Sequence, residues 1–600
     1  MIEIFDMKYI EGGNVMKKTV LLFVVLFSFA WGINGYSEAK LNYGLDVGQN
    51  FYWTKGLDLH DDGNNPVATR GDTTDTRGIG SGESNQWFET LLALNADASV
   101  KGLGGGDVGL HLRVASQFDW LGAQTSTDSN STPGSTGIVG AGNYTNTGTN
   151  AFGFNVNQLY VKFNDFAGLP FDFTLGRQNL KLGRGFVLGD RLLGASSTVH
   201  ASGQAKSGAR QGPTGVGTGH NGQVSAGQAG GLPIGSSTPG ILNAPEHGDF
   251  TGFDAARFDV KYKDFYANTG YALIASALTQ TATGSVAGSA VRDIGARDDE
   301  ELLFANVGVA TDKFLNTPWT TELYVLRNTD REPMTDKNNG GANSLLGKKD
   351  LVRTYGARGD VEFKNVLSWF SSIKPFAEYA IQRGELGSQP TDGALGRNRR
   401  ATGWDTGVDF KVDAKYSPWF SLETMYFSGP KTGEVEPDNA LQDVAAGTPW
   451  HAWDSQFRSN RPGLIMAYAD TLYLTDRAAT DATAGTPQQG LVDSALTNRW
   501  TLLGSVGFKP IEKLDVSLTY LFARLPEEPS GSPTGTTTPS KVVGTELDGF
   551  FAYKFSKDVT WNLQAGWFDP GNYYRVPTNS GVGDADRDAF LVGTGFKFSI

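Results

Sequence analysis

Six hundred residues with 78 glycines, no cysteine and a formal net charge of −13 exclude several classes at once. Without cysteine there are no disulfides, thiolate metal sites or CxxCH haem attachments, and the acidic balance argues against nucleic acid as a partner. Hydrophobic residues make up 39%, too few and too interrupted for helical membrane spans.

From the start of the chain, Met16-Lys17-Lys18 precedes the apolar run Val20–Trp31, and Ser37-Glu38-Ala39 follows it. A basic flank, an apolar stretch too short to span a bilayer and a small-x-small end read as a secretory signal. Residues 1–39 are therefore expected to be an upstream start plus a cleaved signal peptide, and 40–600 a single domain exported to the periplasm.

Beyond the signal, one unit recurs: two alternating strands, a tight turn, then a long polar loop. The clearest copy is Leu547–Phe555, a turn at Ser556-Lys557-Asp558, then Val559–Trp567. In its second strand Val559, Trp561, Leu563, Ala565 and Trp567 share one face, and Thr560, Asn562, Gln564 and Gly566 the other, because successive strand side chains point to opposite faces. Tight connections centre on 100–106, 164–169, 262–264, 312–317, 365–372, 414–417, 510–513 and 556–558. Between them lie loops 54–85, 121–150, 181–250, 277–300, 330–350, 385–402, 429–497, 525–542 and 569–587, rich in Gly, Ser, Thr, Asn, Asp and Pro. Eight hairpins give sixteen strands; a first strand at 41–53 and a last at 588–600 make eighteen. An even count puts both termini on the short-turn side, as bacterial outer-membrane barrels require. The fold class is thus all-β, an antiparallel transmembrane barrel with short periplasmic turns and long extracellular loops. Aromatic residues beside the turns (Phe163, Phe166, Phe171, Trp319, Trp369, Phe370, Trp419 and Phe420) fit the girdles that form at membrane interfaces. The last strand alternates Phe590, Val592, Thr594, Phe596, Phe598 and Ile600 against Leu591, Gly593, Gly595 and Lys597. It reads as the segment recognised by the barrel-assembly machinery, with Ile600 in the terminal position.

A barrel this wide has a wet lumen unless loops enter it. The alternation turns Val108, Leu110, Leu112 and Val114 to lipid and His111, Arg113, Gln117 and Asp119 inward. It likewise turns inward Arg257, Asp259 and Lys261; Arg358, Asp360, Glu362 and Lys364; and Asp405, Asp409 and Lys411. Asp46, Glu89, Asp97, Lys162, Glu322, Glu378, Glu423, Glu546, Asp548, Lys554 and Lys597 also fall inward. Two readings stand side by side: a solvated wall whose opposite charges pair across strands, or a ladder that guides a charged solute. Loops 181–250 and 429–497 are long enough to fold into the lumen. His200, Lys206, Arg210, His220 and His247 are scattered through the first, with no metal-ligand spacing, and glycine clusters such as Gly102–Gly106 are turn material.

Two stretches carry a family resemblance. One is Phe173-Thr174-Leu175-Gly176-Arg177-Gln178-Asn179-Leu180, with Leu182-Gly183-Arg184-Gly185 and Gly189-Asp190-Arg191-Leu192-Leu193-Gly194. The other runs from Gly544-Thr545-Glu546-Leu547-Asp548 through Leu563–Tyr573. Both blocks, in this order, resemble the alginate-export family of outer-membrane proteins. That resemblance implies an eighteen-stranded barrel passing an anionic polysaccharide outward through an arginine-rich lumen gated by loops, with Arg177, Arg184 and Arg191 as path residues. Arg113, Arg257 and Arg358 join them from the inward set, as do Lys411, Glu546 and Asp548. The inward set holds more acids than a polyuronate path prefers. Arg177 is also in phase with Phe171, Phe173 and Leu175, so either a bulge at Gly176 turns it inward or it sits at the rim.

The functional expectation is a channel in the outer membrane of a Gram-negative bacterium, passing a hydrophilic solute or polysaccharide, with outer-membrane lipid as its surroundings. The alternatives are a diffusion porin for small solutes, and a scaffold or adhesin acting through its loops. An enzyme needs a nucleophile and base placed together; six histidines with no Ser–His–acid arrangement give no catalytic residues, and neither cofactor nor metal is expected. Oligomeric state is left open by the sequence.

Overall fold

The computed structural model describes residues 39–55, 84–103, 106–119, 155–166, 169–189, 253–275, 300–312, 317–331, 349–386, 397–429, 431, 449–453, 463–466, 498–527, 540–572 and 588–600. The signal segment, Arg191 and the central parts of the long loops lie outside these residues.

The wall strands are β1 (Ala39–Lys55), β2 (Ser84–Leu103), β3 (Gly106–Asp119), β4 (Asn155–Asn164), β5 (Phe171–Gln178), β6 (Phe253–Tyr262), β7 (Phe265–Ala275), β8 (Glu300–Thr311) and β9 (Trp319–Arg331). There follow β10 (Lys349–Val361, continued after Glu362 by Phe363–Leu367), β11 (Phe370–Leu386), β12 (Arg397–Val412), β13 (Trp419–Phe427) and β14 (Arg499–Ile511). The last four are β15 (Leu514–Arg524), β16 (Val542–Lys554), β17 (Val559–Pro570) and β18 (Ala589–Ser599). Each pairs antiparallel with the next, and β1 pairs with β18 from Asp46↔Ser599 to Lys55↔Phe590, so the sheet closes. Closure runs to the last residue, with reciprocal backbone bonds between Leu45 and Ile600 at 3.0 and 2.9 Å. The expected eighteen strands are present, and the short turns at 262–264, 365–372, 414–417, 510–513 and 556–558 lie wholly within the described residues. A further two-residue bridge, Pro449–Trp450, lies parallel to the extracellular end of β12 and belongs to a loop rather than the wall.

The turns close tightly because several residues adopt left-handed backbone: Asp165, Lys263, Asn365, Tyr416 and Ser417 all have positive φ. Such residues suit short hairpin connections.

Burial follows the two-residue alternation. On the outer face Leu303, Val307, Leu323, Tyr355, Tyr379, Leu422, Leu518 and Tyr520 are exposed, whereas the inward Thr354, Glu378, Asp405 and Leu521 are buried. An apolar exterior this extensive, on a sheet without free edges, matches a hydrocarbon environment. The chain is a transmembrane β-barrel of the outer-membrane type. At its short-turn end, aromatic rings pack on the outer face: Phe173 on Phe258 at 4.6 Å, and Phe410 on Phe420 at 4.3 Å. Trp419 departs from the expected girdle. It pairs with Lys411 and Gly507 and shares the inner phase of Ser421 and Glu423, because Phe420 takes the outward position.

Candidate permeation pathway

After β5 the chain turns into the barrel instead of rising above it. Residues 179–189 form a compact turn closed by a Leu182↔Leu188 bridge, and Leu180, Leu182, Phe186, Val187 and Leu188 are fully or nearly fully buried. They pack on an apolar inner wall: Ala255 of β6, Ala272 of β7, Leu302 and Phe304 of β8, Tyr324 and Leu326 of β9, Ala380 of β11, Ala401 of β12, and Met425 and Phe427 of β13. Phe186 stacks on Phe427 at 5.1 Å and meets Trp453, from the second long loop, at 5.6 Å. Burying this apolar surface is what brings the segment in.

Its polar groups are satisfied by two wall carboxylates. The Gly183 N–H donates to Glu322 Oε1 at 2.9 Å and the Arg184 N–H to Glu378 Oε2 at 2.7 Å. Glu322 also accepts from Tyr266 Oη and Asn306 Nδ2, both at 2.9 Å, and Glu378 from Tyr324 Oη at 2.6 Å. From the other side Arg358 donates to the Gly183 carbonyl at 2.8 Å while its guanidinium is held by Asp360 at 2.7 and 3.0 Å. Gly183 is required here: its φ is +58°, and a Cβ would lie 2.3 Å from Glu378 Oε1.

A second segment, 463–466, repeats the device against β16. The Leu464 N–H donates to Asp548 Oδ2 at 3.3 Å, and the Ile465 and Met466 N–H groups both donate to Glu546, the latter at 2.7 Å. All four residues of the segment are buried. Successive backbone N–H groups converging on carboxylates form charge-assisted bonds, so an acid pair on a strand fastens a loop to the wall.

The sequence-derived site residues therefore separate. Arg184 is in the lumen, its guanidinium 3.5 Å from the Phe376 ring centroid and 3.9 Å from Asp405. Arg257 is inward, bound to Asp259 at 2.8 Å and to the Asn179 carbonyl at 3.4 Å. Arg358 is inward and occupied as described. Arg113 is inward and half-buried, opposite Asn95 of β2. Beside it, His111 meets Asp97 at 2.6 Å and stacks on Tyr160 at 4.9 Å. Lys411 is inward and exposed near the short turns. Glu546 and Asp548 face inward but lie beneath segment 463–466, so they hold a loop and present no surface to a solute.

Arg177 is a correction. It stands opposite the outward Leu159 of β4 and Asp254 of β6, and binds Asp254 through Nε and Nη2, both at 2.9 Å. Gly176 does have φ +122°, but the pairing runs unbroken through it, so Arg177 keeps the phase of Leu175 and lies on the outer face near the extracellular rim. Arg191 lies outside the described residues. Among the described residues, no group of three His, Asp or Glu is placed to hold a metal ion.

Glu322 and Glu378 were legible as inward residues but not as anchors. The signal that could have exposed the dry inner wall is the local loss of alternation in Leu302-Leu303-Phe304 and Leu323-Tyr324-Val325-Leu326, since strands covered on both faces read as continuous apolar runs. Arg399, buried and donating to the Ala452 carbonyl at 2.9 Å, gave no such signal.

No protein-family profile matches the chain, and no curated protein matches it. Solved structures of similar architecture include Pseudomonas aeruginosa OccK11 (OpdR), with TM-score 0.42, 8% identity, and coverage of 94% of this chain and 96% of that one. The outer membrane protein OpdK of the same organism gives 0.43, 9%, 94% and 100%. Pseudomonas putida OprB gives 0.37, 11%, 93% and 94%.

Proposed function

We propose that this chain is a diffusion channel in the outer membrane of a Gram-negative bacterium, passing small hydrophilic solutes through a lumen narrowed by segment 180–188. The observation that carries this reading is the docking of Gly183 and Arg184 on Glu322 and Glu378 inside a closed barrel. A fastened, apolar-backed segment of this kind sets a fixed constriction and so a size limit. Passage of an anionic polymer, implied by the resemblance to alginate exporters, has Arg113, Arg184, Arg257 and Arg358 on the inner side in its favour. Against it, Arg257 and Arg358 are each neutralised by an adjacent aspartate, Arg184 lies against Asp405, and Arg177 is on the outer face.

The test is swelling of proteoliposomes in graded neutral and charged sugars. Mono- and disaccharides are expected to enter, with rates falling steeply for longer oligomers. Entry of long oligouronates at the rate of monosaccharides would return the polymer reading, and no swelling with any solute would remove the channel.

A further inference from the structure

Near the extracellular ends of four neighbouring strands, arginines stand directly opposite one another. Arg327 of β9 pairs with Arg353 of β10, Arg353 pairs with Arg383 of β11, and Arg383 pairs with Arg400 of β12. All four share the phase of the outward Leu323, Tyr355, Tyr379 and Trp404, and Arg353, Arg383 and Arg400 are exposed. Like charges directly opposite each other destabilise a sheet, so a row of four calls for an anion.

The described residues supply little of it. Among the described residues none of the four is bridged to a carboxylate; Arg383 donates to the Gln382 carbonyl at 2.8 Å, and the buried Nε of Arg327 has no acceptor. One row further out on the same face, Glu301 holds the register position opposite Thr329. Arg177 on the same outer surface is, by contrast, fully matched by Asp254.

Position identifies the anion. Arg400 lies ten residues along β12 from Phe410, in the short-turn aromatic girdle. That is about 33 Å of strand, or about 25 Å of height at the usual tilt, the thickness of the apolar band of such barrels. The row therefore sits where the hydrocarbon of the outer leaflet meets its headgroups. It spans three strand spacings, about 14 Å, enough for more than one phosphate.

We propose that Arg327, Arg353, Arg383 and Arg400 bind the phosphate groups of an outer-leaflet glycolipid. Arginine suits the role because its planar fork engages phosphate through two bonds, while Tyr379 and Trp404 below it lie at the depth of the acyl chains. The inference rests on the membrane placement of the barrel but not on the channel reading.

The test is native mass spectrometry of delipidated full-length protein in detergent, titrated with diphosphoryl lipid A, monophosphoryl lipid A, phosphatidylcholine or inorganic phosphate. A stoichiometric adduct is expected with diphosphoryl lipid A and a weaker one with the monophosphoryl form. Binding should weaken at least tenfold in R353Q/R383Q and recover partly in R353K/R383K, with wild-type conductance in both. If the double variant does not assemble, R383Q alone carries the comparison. Equal binding by wild type and variant, or phosphatidylcholine binding as tightly as lipid A, overturns the proposal. Binding of inorganic phosphate without lipid A makes the row a free-anion site and overturns it as well. Loss of conductance with lipid binding intact would strike the channel reading alone.

Discussion

Replacing Gly183 by alanine tests whether the inward segment is fastened as described. The new methyl would sit 2.3 Å from Oε1, 2.6 Å from Cδ and 2.7 Å from Oε2 of Glu378, so the carboxylate must swing away from the Arg184 N–H that it accepts at 2.7 Å. Left-handed backbone costs a non-glycine residue about 1 kcal/mol, and loss of a hydrogen bond to a charged group costs about 1.5–3 kcal/mol. Together these come to about 3 kcal/mol against the docked state, roughly a hundredfold shift in the docking equilibrium. The barrel itself is untouched, because neither wall pairing nor outer face changes, and heat-modifiable migration on gels should stay as in wild type. In planar bilayers the variant is expected to open to larger and noisier single-channel steps. Steps of wild-type size and noise, in a variant that migrates as a folded barrel, would refute the argument that Gly183 and Glu378 hold the constriction.

The second fastening should fail independently. In an L464C background, where the introduced thiol is the only one in a chain with no cysteine, maleimide should not react; adding E546A and D548A removes the acceptors of three N–H groups and should make it reactive. Equal protection in both would show that the carboxylates do not hold 463–466. Replacing Arg113 and Arg358 together with Glu should shift the zero-current potential in a salt gradient toward cation preference, and an unchanged potential would remove both from the permeation path. Leu323→Arg places a charge on the lipid face, where the cost is about 2–4 kcal/mol near mid-membrane; a lower denaturant midpoint is expected in lipid vesicles, and an unchanged midpoint would contradict the assigned face.

The wall was legible because its physics is local. Alternation fixes faces, and turn chemistry fixes hairpins, so the register of β17, with Val559 through Trp567 on alternate sides, could be read residue by residue. The first strand, expected at 41–53, runs from Ala39 to Lys55, a difference at frayed ends only. The interior was less legible because it depends on contacts between residues distant in sequence. Gly183 meets Glu322 across 139 residues and Arg184 meets Glu378 across 194. Nothing near either carboxylate distinguishes an anchor from a solvated wall charge. Arg177 shows the reverse: its phase with Leu175 already pointed outward, and the family resemblance pulled it toward the path. The arginine row was hidden for the same reason as the anchors, since Arg327, Arg353, Arg383 and Arg400 become neighbours only once strand register is known.

The central claim is that solutes pass through the barrel beside segment 180–188, with Arg184 on their route. R184C provides a single thiol at that point in an otherwise cysteine-free chain. Its reaction with a membrane-impermeant cationic methanethiosulfonate, followed in a single-channel recording, should produce a discrete change in open current, with none in wild type. An unchanged current in channels proven by mass spectrometry to be modified would mean that the conducting route does not run past Arg184.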